Sequence, residues 1–557
     1  MASSSTVKSP EKIIEEVMAK KLWKRFKYEW TQALYTPFVV SLAAGTLELD
    51  TFLHYLAQDV HILRACVQAY ERAEEYADDD DAKVEICKLR KSIPEKFKLH
   101  ESFQRMSIDL PKESTLDAAT VKYTDFLLAT ASGKVEVVKS PGKLATTPFE
   151  KTKLAAYIIG AAAPRMRLYV FLGKELNAVL DPEKDIHPYQ KWIDNFSSNT
   201  FQAEAIQTEE LLEKLSVSLT GEELDIIEKL YHQAMKHEVE FFLGQPLVQS
   251  TLVPMCRGPN PEEHRLVLFS DFDLTCTVLD SSAILAEMTM LKAPKTDQNQ
   301  SGNQSARMPS NVLRSKWEEL SKLYTEEYEQ CIESVLVDDK IEKSDFIGLR
   351  EAIRPISVFE EKANSRVVEF EVLKGLNVEH IRRAGEHMIL QDGCMDFFHS
   401  AINNENLNTH IHVISYCWCG DLIRSALSSG GLDSVSVHAN ELIYENSIST
   451  GGINRKIESP MDKVIVWSNI LGGYSKDRKN VTVYIGDTVG DLLCLLQADI
   501  GIVIGCSSSL RRLGAHFGVS FVPLFPAVIA RQRLNTSERV LHTVSSWAEI
   551  HAFILGW

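Results

Sequence analysis

The chain has 557 residues, 45% hydrophobic and 25% charged, and its 77 acidic and 60 basic side chains give a formal net charge of −17. That length is more than one core holds and predicts a multidomain globular protein. The acidic balance argues against nucleic acid as a main partner and mildly favours a cationic ligand, and no apolar run is long enough to predict a membrane span.

The first residues, Met1-Ala-Ser-Ser-Ser, have a transit-like flavour, but acids begin by Glu11 and an amphipathic helix follows at once. The plain expectation is a cytoplasmic protein, with a longer mitochondrial form from an upstream start as the alternative. Ten scattered cysteines without a pairing pattern fit a reducing compartment. Cys417-Trp-Cys419 has no second ligand pair, so buried thiols are expected there rather than zinc.

Residues 1–243 read as a helical domain, with Phe52, Tyr55, Leu56, Leu63 and Tyr70 on one helix face. Thr220-x-x-Glu223 is a capping box opening a helix that runs to Phe242. Two acids sit where a core would not want them. Asp59 shares a face with Tyr55, Leu56, Leu63 and Cys66, and Glu238 with Tyr231, Met235, Phe241 and Phe242. Such an acid must be paired, hydrogen-bonded or at a pocket, unless it lies at the margin of its face and touches water.

Tyr55-x-x-Gln58-Asp59, Tyr123-Thr124-x-Phe126-Leu127, Ala163-Pro164 with Tyr169, Tyr189-x-Lys191-Trp192 and Glu238-x-x-Phe241-Phe242 resemble the TenA family of thiamin-salvage aminohydrolases. The resemblance implies an all-α, haem-oxygenase-like fold and a homo-oligomer formed through this domain. It also implies hydrolysis of aminomethylpyrimidine. In those terms Asp59 binds the aminopyrimidine, Glu238 is the acid/base, and Tyr123 and Tyr169 line the pocket and stack on the ligand. The chain departs from the family at Arg165, which stands where many members have a nucleophilic cysteine, and at Ile62, often tyrosine. Arginine cannot replace that nucleophile. Cys66, two turns from Asp59 and about 10 Å along the helix, replaces it poorly unless the pocket is elongated.

Residues 244–264 carry four prolines with little periodicity and read as a linker. From 265 to 557 strands alternate with helices, giving a parallel sheet with strands near 266–270, 411–415, 435–438, 481–485 and 500–504. The first strand ends in Asp271-Phe-Asp273-Leu-Thr275, two carboxylates at a sheet edge where open α/β folds bind ligands. Asp271 could attack phosphorus and Asp273 shuttle a proton, and so much negative charge calls for a cation such as Mg²⁺. Ser415 follows the second strand. Ser459-Pro460 starts a helix bearing Lys463, and Gly486-Asp487-x-x-Gly490-Asp491 follows a later strand. The long gap after the first motif predicts an inserted helical cap over about 283–390, with a polar, disordered stretch from Lys295 to Asn311.

In this order the four segments resemble the haloacid dehalogenase (HAD) phosphatase superfamily. The resemblance implies a Rossmann-like α/β fold with Asp271 as nucleophile and Asp273 as general acid/base. Thr275, Ser415 and Lys463 serve the phosphoryl group, and Asp271, Asp273, Asp487 and Asp491 make up the Mg²⁺ site. A TenA-like half joined to a HAD half resembles the plant bifunctional proteins of thiamin metabolism, which implies thiamin monophosphate as the phosphatase substrate. The competing expectation is a non-catalytic helical binding or oligomerisation module beside a phosphatase for other esters, such as nucleotides or sugar phosphates.

Overall fold

The computed structural model describes residues 17–104, 115–134, 148–180, 187–257, 262–293, 308–336, 346–534 and 540–557. The N-terminal segment, with Glu11, lies outside them, as does most of the polar stretch Lys295–Asn311. The end of that stretch opens a helix at Ser310. The chain divides into two compact units, residues 1–252 with Trp557, and residues 253–556.

In the first unit the described residues form ten helices and no strand. They are α1 (Met18–Arg25), α2 (Lys27–Leu34), α3 (Pro37–Ala44), α4 (Leu49–Tyr76), α5 (Asp80–Gln104), α6 (Ala118–Ala131), α7 (Pro148–Ala178), α8 (Gln190–Ser197), α9 (Asn199–Ser216) and α10 (Gly221–Leu243). On α4, Phe52, Tyr55, Leu56, Asp59, Leu63, Cys66 and Tyr70 are buried at helical spacing, so Asp59 points inward with its apolar neighbours. On α10 the box of Thr220 and Glu223 closes the first turn, and Glu238 is buried among Tyr231, Met235, Phe241 and Phe242. Helix α7, with the run Ala161–Ala163, packs against α4, α9 and α10.

The second unit starts with β1 (His264–Ser270). Five helices follow: α11 (Ser281–Lys292), α12 (Ser310–Val335), α13 (Phe346–Ala352), α14 (Arg354–Glu369) and α15 (Val378–Glu386). Then come α16 (Cys394–Asn403), β2 (Thr409–Ile414), α17 (Gly420–Ser429), β3 (Ser436–His438), β4 (Glu441–Glu445), β5 (Ile448–Asn454) and α18 (Pro460–Gly473). The chain ends with β6 (Lys479–Gly486), α19 (Leu492–Gln497), β7 (Ile500–Ile504), α20 (Ser508–His516), β8 (Phe521–Pro523), α21 (Leu524–Leu534), β9 (Leu541–Val544) and α22 (Trp547–Ile554). Seven strands form a sheet in the order β3-β2-β1-β6-β7-β9-β8, every neighbouring pair parallel. The five expected strands are present; β8, β9 and the separate antiparallel hairpin β4-β5 were not read from the sequence.

Strand β1 is buried on both faces from Leu266 to Ser270, as a central parallel strand must be. Its neighbours β2 and β6 lie on opposite sides, so the strand order reverses at β1. The carboxyl ends of β1, β2 and β6 therefore meet at one crevice, the place where open α/β sheets bind ligands.

Candidate functional sites

The segments after β1, β2 and β6 and the first turn of α18 converge at that crevice. Asp271 follows β1 in register, its N–H bonded to the Ile485 carbonyl of β6 at 2.9 Å. The turn beyond it carries Leu274 at φ +59°, a conformation costly for a branched side chain and held by its surroundings. The Thr277 hydroxyl accepts the Leu274 N–H at 3.0 Å, and Trp547 donates to the Thr275 carbonyl at 2.9 Å.

Lys463 is fully buried in the first turn of α18, where Ser459 caps the helix, Asp462 completes a capping box and Pro460 opens it. Its ammonium bridges Asp271 Oδ1 at 2.9 Å and Asp491 Oδ1 at 2.8 Å, 4.3 Å from the centre of the Tyr416 ring. Burial alone would strip its proton, but the Asp271 and Asp491 carboxylates push its pKa above the ordinary lysine range. Ser415, also fully buried, accepts the Cys417 N–H on its hydroxyl oxygen at 3.0 Å, leaving its proton to donate.

The Asp491 carboxylate is saturated. Oδ1 takes Lys463 and the Tyr484 hydroxyl, and Oδ2 takes Thr488 Oγ1 at 2.9 Å and the Thr488 and Asp487 N–H groups. Both glycines of the Gly486–Asp491 motif are explained by close approach. A Cβ on Gly486 would meet Asp491 Cγ at 2.5 Å, and one on Gly490 would meet the Tyr416 ring at 2.5 Å.

The remaining acids are short of positive charge. Burial, opposed by Lys463 and reinforced by Asp491, pushes Asp271 up to about 7. Burial, then Asp271 and Asp491, pushes Asp487 up to about 8, although Thr275 Oγ1 donates to it at 2.8 Å. Asp273 is raised to about 7 by burial and the charges of Asp280 and Asp271, while its oxygens accept the Ser281 N–H at 2.7 Å and hydroxyl at 2.9 Å. A carboxyl titrating there can hold a proton and release it near neutrality.

Oxygens of Asp271, Asp487 and Asp491 lie within 4.8 Å of one another. Buried, under-neutralised and all oxygen, this donor set fits Mg²⁺. Because Asp491 is already saturated, Asp271 and Asp487 are the carboxylates with capacity to spare.

In the helical unit, Arg165 on α7 places its guanidinium between the two inward acids. Nη2 pairs with Asp59 Oδ1, Nη1 donates to Glu238 Oε1 at 2.7 Å, and the group lies 4.5 Å from the centre of the Tyr169 ring. Asp59 has a second partner, His100 Nε2 at 2.9 Å, while His100 Nδ1 meets the Lys96 carbonyl at 2.6 Å. Both ring nitrogens of His100 thus lie within hydrogen-bond distance of an oxygen, which fixes the ring between α4 and its own helix turn. Burial would raise the pKa of Asp59, but Arg165 and His100 hold it below the ordinary carboxylate range. Glu238 is the opposite case. Burial outweighs Arg165 and Tyr123 and raises its pKa, and its Oε2 is buried with no hydrogen bond among the described residues.

A small cavity opens beside this cluster, lined by Asp59, Cys66, Lys96, His100, Arg165 and Tyr169 among others. Glu238 and Tyr123 are not part of its wall; the Tyr123 hydroxyl donates to Glu238 at 2.7 Å behind Arg165. Cys66 does line the cavity with Asp59, so the space is elongated, but burial pushes its thiol up to about 11, which makes it a poor nucleophile at neutral pH.

Each inferred phosphatase residue thus lies at the crevice, and Asp59, Glu238, Tyr123 and Tyr169 form one cluster in the helical unit. The acids of that unit are buried and paired, not marginal. Several contributors were missed. Asn440, 1% exposed, ties the loops together: Nδ2 donates to the Tyr416 and Ile457 carbonyls, and Oδ1 accepts the Lys456 and Ile457 N–H groups. Ser281, Tyr416, Lys96 and His100 were missed as well. The only sequence signal for the last two is their four-residue spacing, which places them on one face of α5.

The sequence profile of the TENA/THI-4/PQQC family matches residues 23–135. Over its full length the chain is 57% identical to the protein of Arabidopsis thaliana named "Bifunctional TH2 protein, mitochondrial", and it covers 92% of that relative. Over 224 residues, 40% of its length, it is 27% identical to the thiamine biosynthesis multifunctional protein ThiED of Corynebacterium efficiens, covering 27% of that protein. Among solved structures, a phospho-aspartyl intermediate analogue of phosphoserine phosphatase matches 45% of the chain at 19% identity, with a TM-score of 0.29.

Proposed function

The chain belongs to the family of the plant bifunctional TH2 protein, a TenA-type helical part joined to a phosphatase-type α/β part, and from that premise we propose that it is a Mg²⁺-dependent phosphatase releasing thiamin from thiamin monophosphate. The observation that carries the reading is the buried Lys463 ammonium bridging Asp271 and Asp491 beside Ser415, where three strand ends meet.

Lys463 and the Ser415 hydroxyl bind the phosphoryl oxygens, and Lys463 holds the Asp271 carboxylate in place. Asp271, Asp487 and the backbone carbonyl of Asp273, supported by Asp491, would hold a Mg²⁺ ion, which would supply charge neutralisation to the phosphoryl group. A carboxylate oxygen of Asp271 bonds to phosphorus as the ester P–O bond breaks, and Asp273 gives its proton to the departing alkoxide. Asp273, now ionised, takes a proton from water as that water attacks the aspartyl phosphate. Phosphate leaves and Asp271 is regenerated. The test is phosphate release from thiamin monophosphate, nucleotides and sugar phosphates by wild type and Asp271→Asn with Mg²⁺ present. A preference for sugar phosphates or nucleotides sinks the substrate assignment.

For the helical unit we propose binding of aminomethylpyrimidine at Asp59 and its hydrolysis with Glu238 as acid/base, within a homo-oligomer formed through this unit. The ion pairs of Arg165 with both acids favour a second reading, a non-catalytic binding or oligomerisation module. Ammonia release by the full chain decides between them: activity that disappears in Glu238→Gln supports hydrolysis, and none in wild type supports the module. The Arabidopsis relative is named as mitochondrial, which supports, for this chain, the proposal of a mitochondrial form beside a cytoplasmic one.

A further inference from the structure

The cap helices α12 and α14 present an acid and an aromatic wall toward the phosphatase crevice. On α14, Glu360 and Asn364 are one turn apart on one face. Asn364 accepts the Trp418 indole N–H at 2.8 Å, and Trp418 is three residues beyond Ser415, so this face lies on the phosphate-binding loop. Tyr416, in the same loop, feels the charges of both Asp271 and Glu360, and the Lys463 ammonium acts on Glu360 in turn. Glu360 therefore faces the same space as the nucleophile.

Its carboxylate is positioned without being neutralised. The Tyr324 hydroxyl donates to Oε1 at 2.8 Å, and Glu360 makes no ion pair among the described residues. The cations beside it on α14 are committed elsewhere, Lys362 and Arg366 both pairing with Glu327 on α12. Around it stand three rings. Tyr324 and Tyr328 are stacked 5.8 Å apart at 7°, and Phe359 packs 5.1 Å and 5.8 Å from them. Tyr324 is 41% exposed, so aromatic surface remains available to a ligand.

We propose that Glu360, with Tyr324, Tyr328 and Phe359, determines specificity by reading a positive charge on an aromatic ring in the alcohol part of the phosphate ester. A carboxylate beside the exposed Tyr324 ring, backed by Tyr328 and the buried Phe359, attracts a delocalised ring cation twice, by charge and by the ring quadrupole, and gives a neutral alcohol neither. The inference rests on the phosphatase reading and assigns to the cap the discrimination that Asp271, Ser415 and Lys463 cannot make, since they touch only the phosphoryl group.

The test compares wild type, Glu360→Gln and Glu360→Asp as full-length proteins with Mg²⁺, using thiamin monophosphate and p-nitrophenyl phosphate, an ester whose alcohol part carries no positive charge. The ratio of kcat/KM between the two esters is expected to fall about tenfold in Glu360→Gln and to stay within about threefold of wild type in Glu360→Asp. Equal loss on both esters, or an unchanged ratio, overturns the proposal. Thiamin binding, followed by quenching of tryptophan fluorescence, is a second readout that needs no turnover. Binding by wild type that weakens about tenfold in Glu360→Gln supports the proposal even if no ester is hydrolysed, in which case the phosphatase reading alone fails. Absence of thiamin binding by wild type overturns it.

Discussion

In the α/β unit a lysine ammonium lies between Asp271 and Asp491, and in the helical unit a guanidinium lies between Asp59 and Glu238. Both are buried cations clamped by two acids, yet the charge around them balances differently. Lys463 is a compact donor on a flexible stem, and with it in place Asp271 and Asp487 still titrate near 7 and 8 for want of positive charge. That centre asks for another cation. Arg165 is a planar fork that engages both acids and covers a face of Tyr169, while His100 gives Asp59 a second donor. The helical centre is already neutralised at Asp59, and the acid left wanting, Glu238, is shut away from the cavity. One buried ion pair thus leaves its neighbouring acids short of positive charge, and the other satisfies Asp59 within the protein.

The largest expected effect tests the first half of that contrast. Asp271→Asn should lower phosphate release by at least about 10⁴-fold while leaving any ammonia release unchanged. Loss of both activities in one assay series would break the comparison, because it would mean one coupled centre. Asp273→Asn should cost about 10²- to 10⁴-fold, with a smaller penalty on esters whose leaving group needs no proton, such as p-nitrophenyl phosphate. An equal penalty on good and poor leaving groups would remove Asp273 from the acid role.

Arg165 tests the other half. Arg165→Gln keeps a hydrogen-bond donor but removes the charge and the fork, and calorimetry should find aminomethylpyrimidine bound about tenfold more tightly as Asp59 is released. Weaker binding would make the guanidinium part of the ligand's seat rather than its occupant. The substitution also leaves Glu238 without its cation, so a lower Tm is expected with it.

What the sequence made legible follows the same division. Asp271, Ser415, Lys463 and Asp487 each stand beside a local signal, a strand end or a helix cap, so their meeting follows from parallel topology. Asp59 and Glu238 were visible as acids in apolar stripes, but Arg165 was legible only as a missing cysteine. That it joins two acids 106 and 73 residues away depends on how α4, α7 and α10 pack. His100 was invisible for the same reason. Glu360 sits in the run Glu360-Glu361-Lys362, which reads as a solvated face until α12 lays its tyrosines across it.

The smallest effect concerns Glu360 on α14 and sharpens the comparison by asking whether a carboxylate of the α/β unit beyond Asp271, Asp273 and Asp487 is under-neutralised. Burial raises Glu360 to about 7 from the ordinary 4.5, against the opposing hydrogen bond from Tyr324 on α12 and the charge of Lys463 on α18; Tyr328 and Cys331 on α12 and Tyr416 are the other titratable groups facing it. Between pH 4.5 and about 7 the folded protein therefore holds a proton that the unfolded chain has released. Stability must fall with rising pH across that window, because the folded state binds the more protons. Glutamine stays neutral throughout, so Glu360→Gln should match wild type near pH 5 and exceed its Tm by about 2 °C near pH 8. Added thiamin should reverse the order at pH 8, since only the carboxylate gains from the cation. Parallel Tm curves would mean that Glu360 is solvated and carries its charge at no cost, and the α/β unit would then have one centre short of positive charge rather than two.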